Sequence, residues 1–424
     1  MPMLDAGWIF AAMAGGLAVL QFGLRLPLPL GMILVAMLGA LLGGFGLPFR
    51  HLVEGGFGYL NLILALFAGA FFGQAMHHSG ATELLAERVA RYDRRVLPLL
   101  VAGVLLFLTG MLTGVAGVAV LAVGAFAARL LSKTRLSTAA AAAYIALMGT
   151  LGMVAPPLNV PAMIMADGVN MPYAGFSGSL LALSLPAALF ALVTFARAKP
   201  EPAAPDAPRD DGSSPGTLRA WLGLAALVAI IVFWVVIRSW PALVFDPSIP
   251  LVLVLAGLAA LLMSPPRSWV DVVRPAFTGT PLLLAAVLVS VGVLVQIMAL
   301  TGVRGWLVIQ AMSSHPPWLY GALMGLPLLG SVLTSMGTAN SLGVPFAFAF
   351  IHQDMILNIS ALSAIAALSE FCPPTAISTA LAAYVVGEKQ LWPIIRHALP
   401  TLAVLVALAI LMLMFAPTLA PYLR

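Results

Sequence analysis

Two pairs of adjacent prolines interrupt long apolar stretches of this sequence. Pro156–Pro157 follows the segment GTLGMVA, and Pro373–Pro374 follows ALSEFC. A proline removes a backbone donor and clashes with the carbonyl one turn earlier, so two in succession predict a broken helix. Carbonyls freed at a break suit a cation, and the N-terminus of the next half-helix suits an anion. A simple kink is the alternative; two pairs at equivalent places favour a binding site.

Two short segments rich in Gly, Ser and Thr offer uncharged oxygen ligands. They read TGMLTGVAG (109–117) and TSMGTANSLG (334–343). Hydroxyl, amide and carbonyl oxygens suit a hard, partly dehydrated cation. Packing of helices through small residues is the alternative, but the amide of Asn340 needs hydrogen-bond partners. The candidate ligands in these segments are Thr109, Thr113, Gly114, Thr338, Asn340 and Ser341.

Glu370 is the acidic residue that we expect at membrane depth, three residues before Pro373. An ionisable side chain in that setting is a functional hypothesis by default. It could bind a coupling cation, carry a proton, or cap the ends of a broken helix, and the sequence leaves these open. Ser369 and Thr375 flank the same break and join it as candidate ion and solute ligands. We find no metal-ligand spacing, nucleophile motif or phosphate-binding loop, which argues against an enzyme or an ATP-driven pump.

The composition sets the environment of these residues. Of 424 residues, 62% are hydrophobic and 8% are charged, whereas soluble domains have about 25% charged residues. Apolar runs of about 20 residues, the length that spans a bilayer, recur along the chain. We therefore predict an all-α polytopic membrane protein. Its net charge of +5 reflects basic cytoplasmic loops rather than a nucleic-acid partner.

Ten segments fit full crossings and two do not. The crossings are 8–24, 28–46, 59–77, 137–166, 176–196, 219–237, 249–264, 280–300, 356–386 and 398–417. The segments 96–128 and 318–351 are too long for one crossing and too short for two, and each has Gly and small polar residues near its middle. Such segments are typical of re-entrant hairpins, whose irregular tips are tolerated only inside protein or beside a cavity.

The arginines predict the topology. Basic residues flank the first hairpin on both sides, so both flanks should be cytoplasmic. Followed along the chain, sixteen of the 20 Lys and Arg residues fall inside, and four fall outside: Arg50, Arg238, Arg304 and Arg424. We predict that both termini are periplasmic and that each half has five crossings and one hairpin.

The chain divides into two halves at a polar linker, residues 197–218. The halves are 1–196 and 219–424, and they share three weak matches in the same order: QAMHHSGA with QIMALTGV, LTGVAG with LTSMGT, and TLGMVAPP with ALSEFCPP. An odd number of crossings per half requires that related halves be inverted. Inverted repeats are a feature of secondary transporters.

The two proline-pair segments carry a family resemblance. GTLGMVAPPLNVPAMIMADGVNMPYAGFSGSLLALSLPAALF (149–190) and EFCPPTAISTALAAYVVGEKQLWPIIRHALPTLAVLVALAI (370–410) resemble the large membrane subunit of tripartite ATP-independent periplasmic (TRAP) transporters. The segment 67–92 is similar to the one before that family's first hairpin. The resemblance implies an elevator-type carrier in a bacterial inner membrane, driven by Na⁺. It also implies an organic-acid substrate, a small membrane subunit and a periplasmic substrate-binding protein.

The resemblance also implies site residues, and the chain departs from it in places. It assigns Thr113–Gly114 to the first hairpin tip and two sets of residues to the breaks: Gly149, Gly152, Pro156 and Pro157, then Pro373 and Pro374. Asn159, after the first pair, stands near a position where Ser is usual, and Glu370 replaces an uncharged residue. We therefore expect Na⁺-coupled uptake of a dicarboxylate-like acid, with a self-sufficient Na⁺ or H⁺ carrier or antiporter as the alternative. A membrane scaffold is a third interpretation, but a scaffold has no need for helix breaks or polar hairpin tips.

Overall fold

The computed structural model describes residues 5–80, 96–198, 225, 248–263, 265–266, 268–313, 316–350 and 352–423, and every regular element in these ranges is a helix. The all-α prediction is confirmed. Five helical stretches have the length and apolar composition to cross a membrane: Leu60–His78, Val96–Thr113, Ser177–Arg197, Trp269–Leu300 and Leu391–Met414. Shorter apolar helices pack with them.

The described part of the first half contains nine α-helices. They are α1 (Ala6–Ala18), α2 (Leu28–Leu42), α3 (Phe49–Phe57), α4 (Leu60–His78), α5 (Val96–Thr113), α6 (Ala116–Ser132), α7 (Thr138–Val154), α8 (Val160–Gly168) and α9 (Ser177–Arg197). The short helix α3 was not predicted from the sequence; its Phe49, Val53 and Phe57 are exposed beside an ion pair of Arg50 with Glu54. This pattern is typical of a helix lying in a membrane interface.

The described part of the second half continues with α10 (Ile249–Met263), α11 (Trp269–Val273), α12 (Thr280–Leu300), α13 (Val303–Ser313), α14 (Pro316–Gly330), α15 (Thr334–Thr338), α16 (Val344–Ala349), α17 (Met355–Ala367), α18 (Ile377–Val386), α19 (Leu391–Met414) and α20 (Ala416–Leu423). A π-helical turn, Ala339–Gly343, joins α15 to α16, and a 3₁₀ turn, Leu368–Phe371, ends α17. The short helices α11 and α13 were not predicted from the sequence either. Apart from residue 225, the crossing predicted at 219–237 lies outside the described residues, as does almost all of the linker.

Both predicted helix breaks are present. Non-helical residues 155–159 separate α7 from α8, and residues 372–376 separate α17 from α18. The Pro156–Pro157 and Pro373–Pro374 bonds are both cis. Asn159 begins α8 by accepting a 2.9 Å hydrogen bond from the Ala162 amide, which satisfies one of the amides left free at a helix start.

Each of the two predicted hairpin segments forms helical arms joined by a short tip, and the re-entrant placement of the segments stays a prediction. Gly114 and Val115 join α5 to α6, and residues 331–333 join α14 to α15. The arms α5 and α6 are longer than we expected, since α5 alone has the length and composition of a crossing. The tip nevertheless lies level with the middle of α4, because Val115 and Leu66 line the same cavity. That placement is the one that a re-entrant hairpin requires.

Helices at corresponding places in the two halves make reciprocal contacts. The sequence matches make α10, α12, α17 and α18 of the second half correspond to α2, α4, α7 and α8 of the first half. α4 packs against α10, and α12 packs against α2; α8 packs against α17, and α18 packs against α7. Glycines allow the closest approaches: a Cβ on Gly55 of α3 would lie 2.7 Å from the carbonyl oxygen of Gly292 in α12. Such reciprocal contacts are expected of halves related by a two-fold axis. The inversion of the halves and the elevator mechanism stay predictions.

Candidate functional site

Glu370 lies buried on the 3₁₀ turn that ends α17. Its Oε1 accepts a 2.5 Å hydrogen bond from the Ser335 hydroxyl. Its Oε2 accepts bonds from the Ser378 hydroxyl at 2.7 Å and the Ser378 amide at 3.2 Å. The amide belongs to the first turn of α18, so the carboxylate caps that helix and faces the positive end of its dipole. The capping role that we considered is therefore present, and the donors offer partners for a buried anion.

The second hairpin is tied to the second break by further hydroxyl groups. Thr338 donates to the carbonyl oxygens of Thr334 at 2.5 Å and Gly330 at 3.0 Å, and its hydroxyl lies 3.3 Å from that of Ser369. Thr375, just after Pro374, donates to the carbonyl oxygen of Ser331. The predicted ligands Thr338, Ser369 and Thr375 thus lie together, and the Thr375 bond and the Thr338–Ser369 contact join the hairpin to the break.

A small cavity lies where both hairpins and the second break meet. It has about 20 Å³ of room for a water-sized particle and is lined by Leu62, Leu66, Val115, Gly117, Leu288, Thr334, Met336, Glu370 and Ile377. Both halves contribute, with α4 and the first tip on one side and α12, the second tip and the second break on the other. Glu370 and Thr334 are the polar side chains of this lining.

Thr334 has an unsatisfied hydroxyl. The residue is 2% exposed, and its Oγ1 is buried without a hydrogen-bond partner. Its φ of +60° is in the left-handed region, which is a rare outlier for a β-branched residue. Buried hydroxyl groups without partners are costly, and strained backbone of this kind is concentrated at functional sites. Thr334 therefore marks the cavity as a candidate binding site.

The first hairpin tip packs on the first break. The Thr113 hydroxyl donates to the carbonyl oxygen of Thr109 at 2.7 Å, and that of Thr109 donates to Leu105 at 2.7 Å. Gly114 has a φ of +66°, and a Cβ there would lie 2.8 Å from the carbonyl oxygen of Leu158. These contacts make the tip a rigid part of the site, whereas Thr109 and Thr113 use their hydroxyl hydrogens within their own helix.

The first break is linked to the other half through Asn159. The Asn159 side chain is fully buried, and its Nδ2 donates to the Val154 carbonyl and the Ser363 hydroxyl, both at 3.0 Å. With Oδ1 capping α8, the whole amide is committed to protein groups. Asn159 thus connects the first break to Ser363 in the second half of the chain.

Close packing accounts for Gly149 and Gly152. A Cβ on Gly152 would collide with the Phe107 carbonyl oxygen, and one on Gly110 would collide with that of Gly149. Gly152 and Gly110 therefore let α5 approach α7, whereas a Cβ on Gly149 would lie 3.3 Å from Cγ2 of Val120 in α6. The proline pairs contribute backbone geometry to the breaks, with no side-chain polar group. Ser341 is fully buried and its hydroxyl has no partner, while Asn340 is bonded to Arg304.

A larger vestibule lies next to the small cavity on the same helices. Its volume is about 280 Å³, and its lining is Ala70, Gly73, Gln74, His77, Leu121, Ala125, Pro275, Pro281, Tyr384 and Val385. On α4, Leu66 lines the cavity and Ala70 lines the vestibule. On α6, Gly117 lines the cavity and Leu121 lines the vestibule. A separation of four helical residues is about 6 Å, so a single layer of side chains separates the two spaces.

Leu381 lies in that separating layer. It is fully buried, and a Cβ on Gly117 would lie 3.0 Å from its Cδ1 and 3.6 Å from Cγ2 of Ile377. The vestibule opens at the end of the bundle where α4 ends and α12 begins. By the arginine distribution, this is the predicted cytoplasmic end.

Sequence reasoning missed several residues of this site. Ser378 supplies two of the donors to Glu370, and the signal for it was its place at the start of the helix after the second break. Ser335 and Thr334 were recognised as polar tip residues but not chosen as ligands. Arg304 was assigned to an external loop, because nothing in the sequence links it to Asn340.

Comparisons with known proteins name no family for the chain. No family model matches it, and no curated protein matches it. Among solved structures, the chain is similar to the YdaH transporter of Alcanivorax borkumensis, whose crystal structure is described as having an unusual topology. The similarity covers 87% of this chain and 88% of that chain, with a TM-score of 0.48 and 13% sequence identity. Similarity at this level leaves the function to the chain's own residues, and the TRAP resemblance stays an expectation.

Proposed function

We propose that this chain is a cation-coupled secondary carrier of a small organic acid. The observation that carries the proposal is the cavity in which the buried Glu370 carboxylate and the unpartnered Thr334 hydroxyl lie together, between both hairpin tips and the second break. Carboxylate, hydroxyl and carbonyl oxygens are the ligands that hard cations prefer. A scaffold has no need for a strained residue with an unsatisfied hydroxyl beside a buried carboxylate.

The sizes of the two spaces support separate places for cation and solute. A space needs about 10–15 Å³ of room to hold one water, so the 20 Å³ cavity fits one water or one small cation and excludes an organic acid. The vestibule, at about 280 Å³, is near the lower end of the range for small-molecule sites. Gln74, His77 and Tyr384 give it polar groups for a polar solute.

The arrangement also supports access from one end at a time. The vestibule reaches within one helical turn of the cavity, and the Leu381 layer closes the gap between them. At the opposite end, Arg304 binds the second hairpin through Asn340. Movement of the hairpins and breaks relative to α4 and α12 would transfer the cavity between the two ends, as expected of a carrier with alternating access.

Na⁺ is our preferred coupling ion, with H⁺ as the alternative. Uncharged oxygens around one carboxylate suit Na⁺, and a carboxylate with serine donors is also able to hold a proton. The test uses the purified chain in liposomes, with uptake of labelled succinate measured under a Na⁺ gradient and, separately, a pH gradient. Glu370→Gln should abolish the driven uptake, whereas the exposed Glu54→Gln should leave it unchanged. Driven uptake that survives Glu370→Gln would refute Glu370 as the coupling residue.

The proposal also concerns whether the carrier needs partner proteins. If the chain works as a TRAP-type large subunit, succinate uptake should appear only when a small membrane subunit and a periplasmic binding protein are added. If it is self-sufficient, the chain alone should be active. We favour the self-sufficient carrier, because Glu370 supplies a charged coupling group that the family resemblance lacks. Uptake that depended strictly on added subunits would reverse this preference.

A further inference from the structure

Arg304 is a half-buried cation at the end of the bundle away from the vestibule. It lies in the first turn of α13, just after α12 ends. Its Nη2 donates to Oδ1 of Asn340 at 2.7 Å and to the Asn340 carbonyl oxygen at 3.0 Å. These bonds join α13 to the π-helical turn of the second hairpin. Asn340 follows Ser335 by five residues, less than two helical turns, and Ser335 bonds Glu370.

The backbone explains why the Asn340 carbonyl is available. In the π-helical turn, the amide of Val344 bonds the carbonyl five residues earlier, on Ala339. The next bond of this register would come from residue 345, which is proline and has no N–H. The Asn340 carbonyl therefore has no π-helical donor, and the guanidinium of Arg304 takes that place. π-Helical turns are frequent at functional sites.

The charge of Arg304 has no acidic partner within the described residues. The ion pairs found there join Glu54 to Arg50 and His51, and Asp5 is exposed at the start of α1 without a bond to Arg304. The guanidinium has five N–H donors, and both of its bonds to Asn340 use Nη2. Nε and Nη1 are not used by Asn340, but each has a parallel N–H neighbour only on Nη2, so an acceptor of two parallel bonds must share Nη2 with Asn340 or displace it.

Tyr59 adds a hydroxyl to the same place. It begins α4, and its hydroxyl lies beside Asn340 and Arg304 without a hydrogen bond of ordinary geometry. Among the described residues, Arg304 is thus a half-buried cation without a counter-charge, next to a buried hydroxyl, and this arrangement is costly unless a ligand completes it. The missing partner is an anion that accepts two parallel N–H bonds, and a carboxylate has that shape.

We propose that Arg304 binds a carboxylate group of the transported acid at this end of the molecule, and that the bound carboxylate competes with Asn340 for the guanidinium. The inference rests on the proposed function and adds where the acid is recognised when the vestibule end is closed. Loss of the Arg304 bonds frees the Asn340 carbonyl and loosens the second hairpin. Anion binding at Arg304 is thereby coupled to movement of the hairpin that holds Ser335 and Thr334.

The test measures succinate binding to the purified chain by titration calorimetry, with succinamide as the uncharged probe. Arg304→Gln should weaken succinate binding at least tenfold. Arg304→Lys keeps the charge but loses the two parallel N–H donors, and it should weaken binding less. Arg50→Gln removes an exposed arginine at the same end and should have no effect. Asn340→Ala should tighten binding, because it removes Oδ1, the nearer of the two competing acceptors, whereas a purely structural bond predicts no gain.

Two outcomes would overturn the inference: equal succinate affinity in wild type and Arg304→Gln, or unchanged or weaker binding in Asn340→Ala. Should Arg304→Gln fail to fold, the Asn340→Ala result decides alone. Backbone hydrogen exchange of residues 339–349 should rise with succinate and stay constant with succinamide. If Glu370→Gln abolishes driven uptake but Arg304→Gln binds normally, the carrier proposal stands and the Arg304 proposal falls. Arg304-dependent binding without driven uptake would support the Arg304 site and refute the carrier proposal.

Discussion

The Ser335 hydroxyl donates a 2.5 Å hydrogen bond to Oε1 of Glu370, from a position 35 residues earlier in the chain. Ser335 belongs to the second hairpin and Glu370 to the second break, and both are buried. A movement of the hairpin relative to the break must therefore lengthen this bond and expose a carboxylate oxygen. The contact connects the state of the buried carboxylate with the position of the hairpin.

Removal of the Ser335 donor should destabilise the chain. We expect Ser335→Ala to lower the free energy of unfolding by about 1–3 kcal/mol, the usual cost of losing a bond to a buried charged group. The measurement is thermal unfolding in detergent. Ser132→Ala is the matched control, since the Ser132 hydroxyl bonds a backbone carbonyl at an exposed site. An equal, small effect of both substitutions would contradict the contact.

Thr334 should show opposite effects on stability and cation binding. Thr334→Gly removes the strain of a β-branched residue at φ +60°, which costs about 1–3 kcal/mol, and also removes the unpartnered hydroxyl. We expect an unchanged or raised unfolding temperature together with Na⁺ binding weakened about tenfold, as judged from Na⁺-dependent stabilisation. Thr334→Ser keeps the hydroxyl and should retain Na⁺ binding. Undiminished stabilisation of Thr334→Gly by Na⁺ would exclude this hydroxyl as a ligand.

Gly114 should be more sensitive to substitution than a glycine with similar backbone but open surroundings. Gly114 and Gly387 have φ values of +66° and +79°, but a Cβ on Gly114 meets Leu158 and Val160 at 2.8 Å, whereas one on Gly387 meets nothing within 4 Å. Alanine at either position costs about 1–2 kcal/mol of backbone strain. Only Gly114→Ala should add about 1–3 kcal/mol of overpacking. Unfolding temperatures compare the two, and equal losses would mean that the tip does not pack on the first break.

The Glu388 carboxylate should give a small pH-dependent contribution to stability. It lies in the loop between α18 and α19, and the hydrogen bond from the Thr138 hydroxyl at 2.6 Å is the main cause that lowers its pKa below the usual 4.5. A lowered folded-state pKa stabilises the fold above pH 4.5, and this contribution is lost as the pH falls through the folded-state value. Since Glu388 is largely solvated, we expect less than about 1 kcal/mol.

Thr138→Val tests this contribution. The variant should be slightly less stable than wild type at pH 7, and the two should converge as the pH falls well below 4.5. Thermal unfolding across pH 3–7 provides the comparison. A stability difference that persists unchanged at pH 3 would assign the effect of Thr138 to packing rather than to the Glu388 carboxylate.

The sequence alone determined the class of fold and the parts of the site with local signals. Apolar runs of bilayer length define the helices, because few charges are available to solvate a surface. Proline pairs predict breaks from backbone chemistry alone, and Gly with Ser or Thr in an apolar segment predicts the hairpin tips. Glu370 was found because a carboxylate is conspicuous in apolar surroundings. Short helices such as α3 and α13 escaped, since both are shorter than a bilayer crossing and carry charged residues, so no long apolar run marks them.

Tertiary structure decided which of these residues meet. The bond of Ser335 to Glu370, the link of Asn159 to Ser363 and the bonds of Arg304 to Asn340 each join residues at least 35 positions apart, and no local pattern records such a pairing. It also decided which hydroxyls are already committed, as in Thr338, and which lack a partner, as in Thr334. Whether a polar group is available depends on its neighbours in space, and packing of both halves around one cavity creates those neighbours.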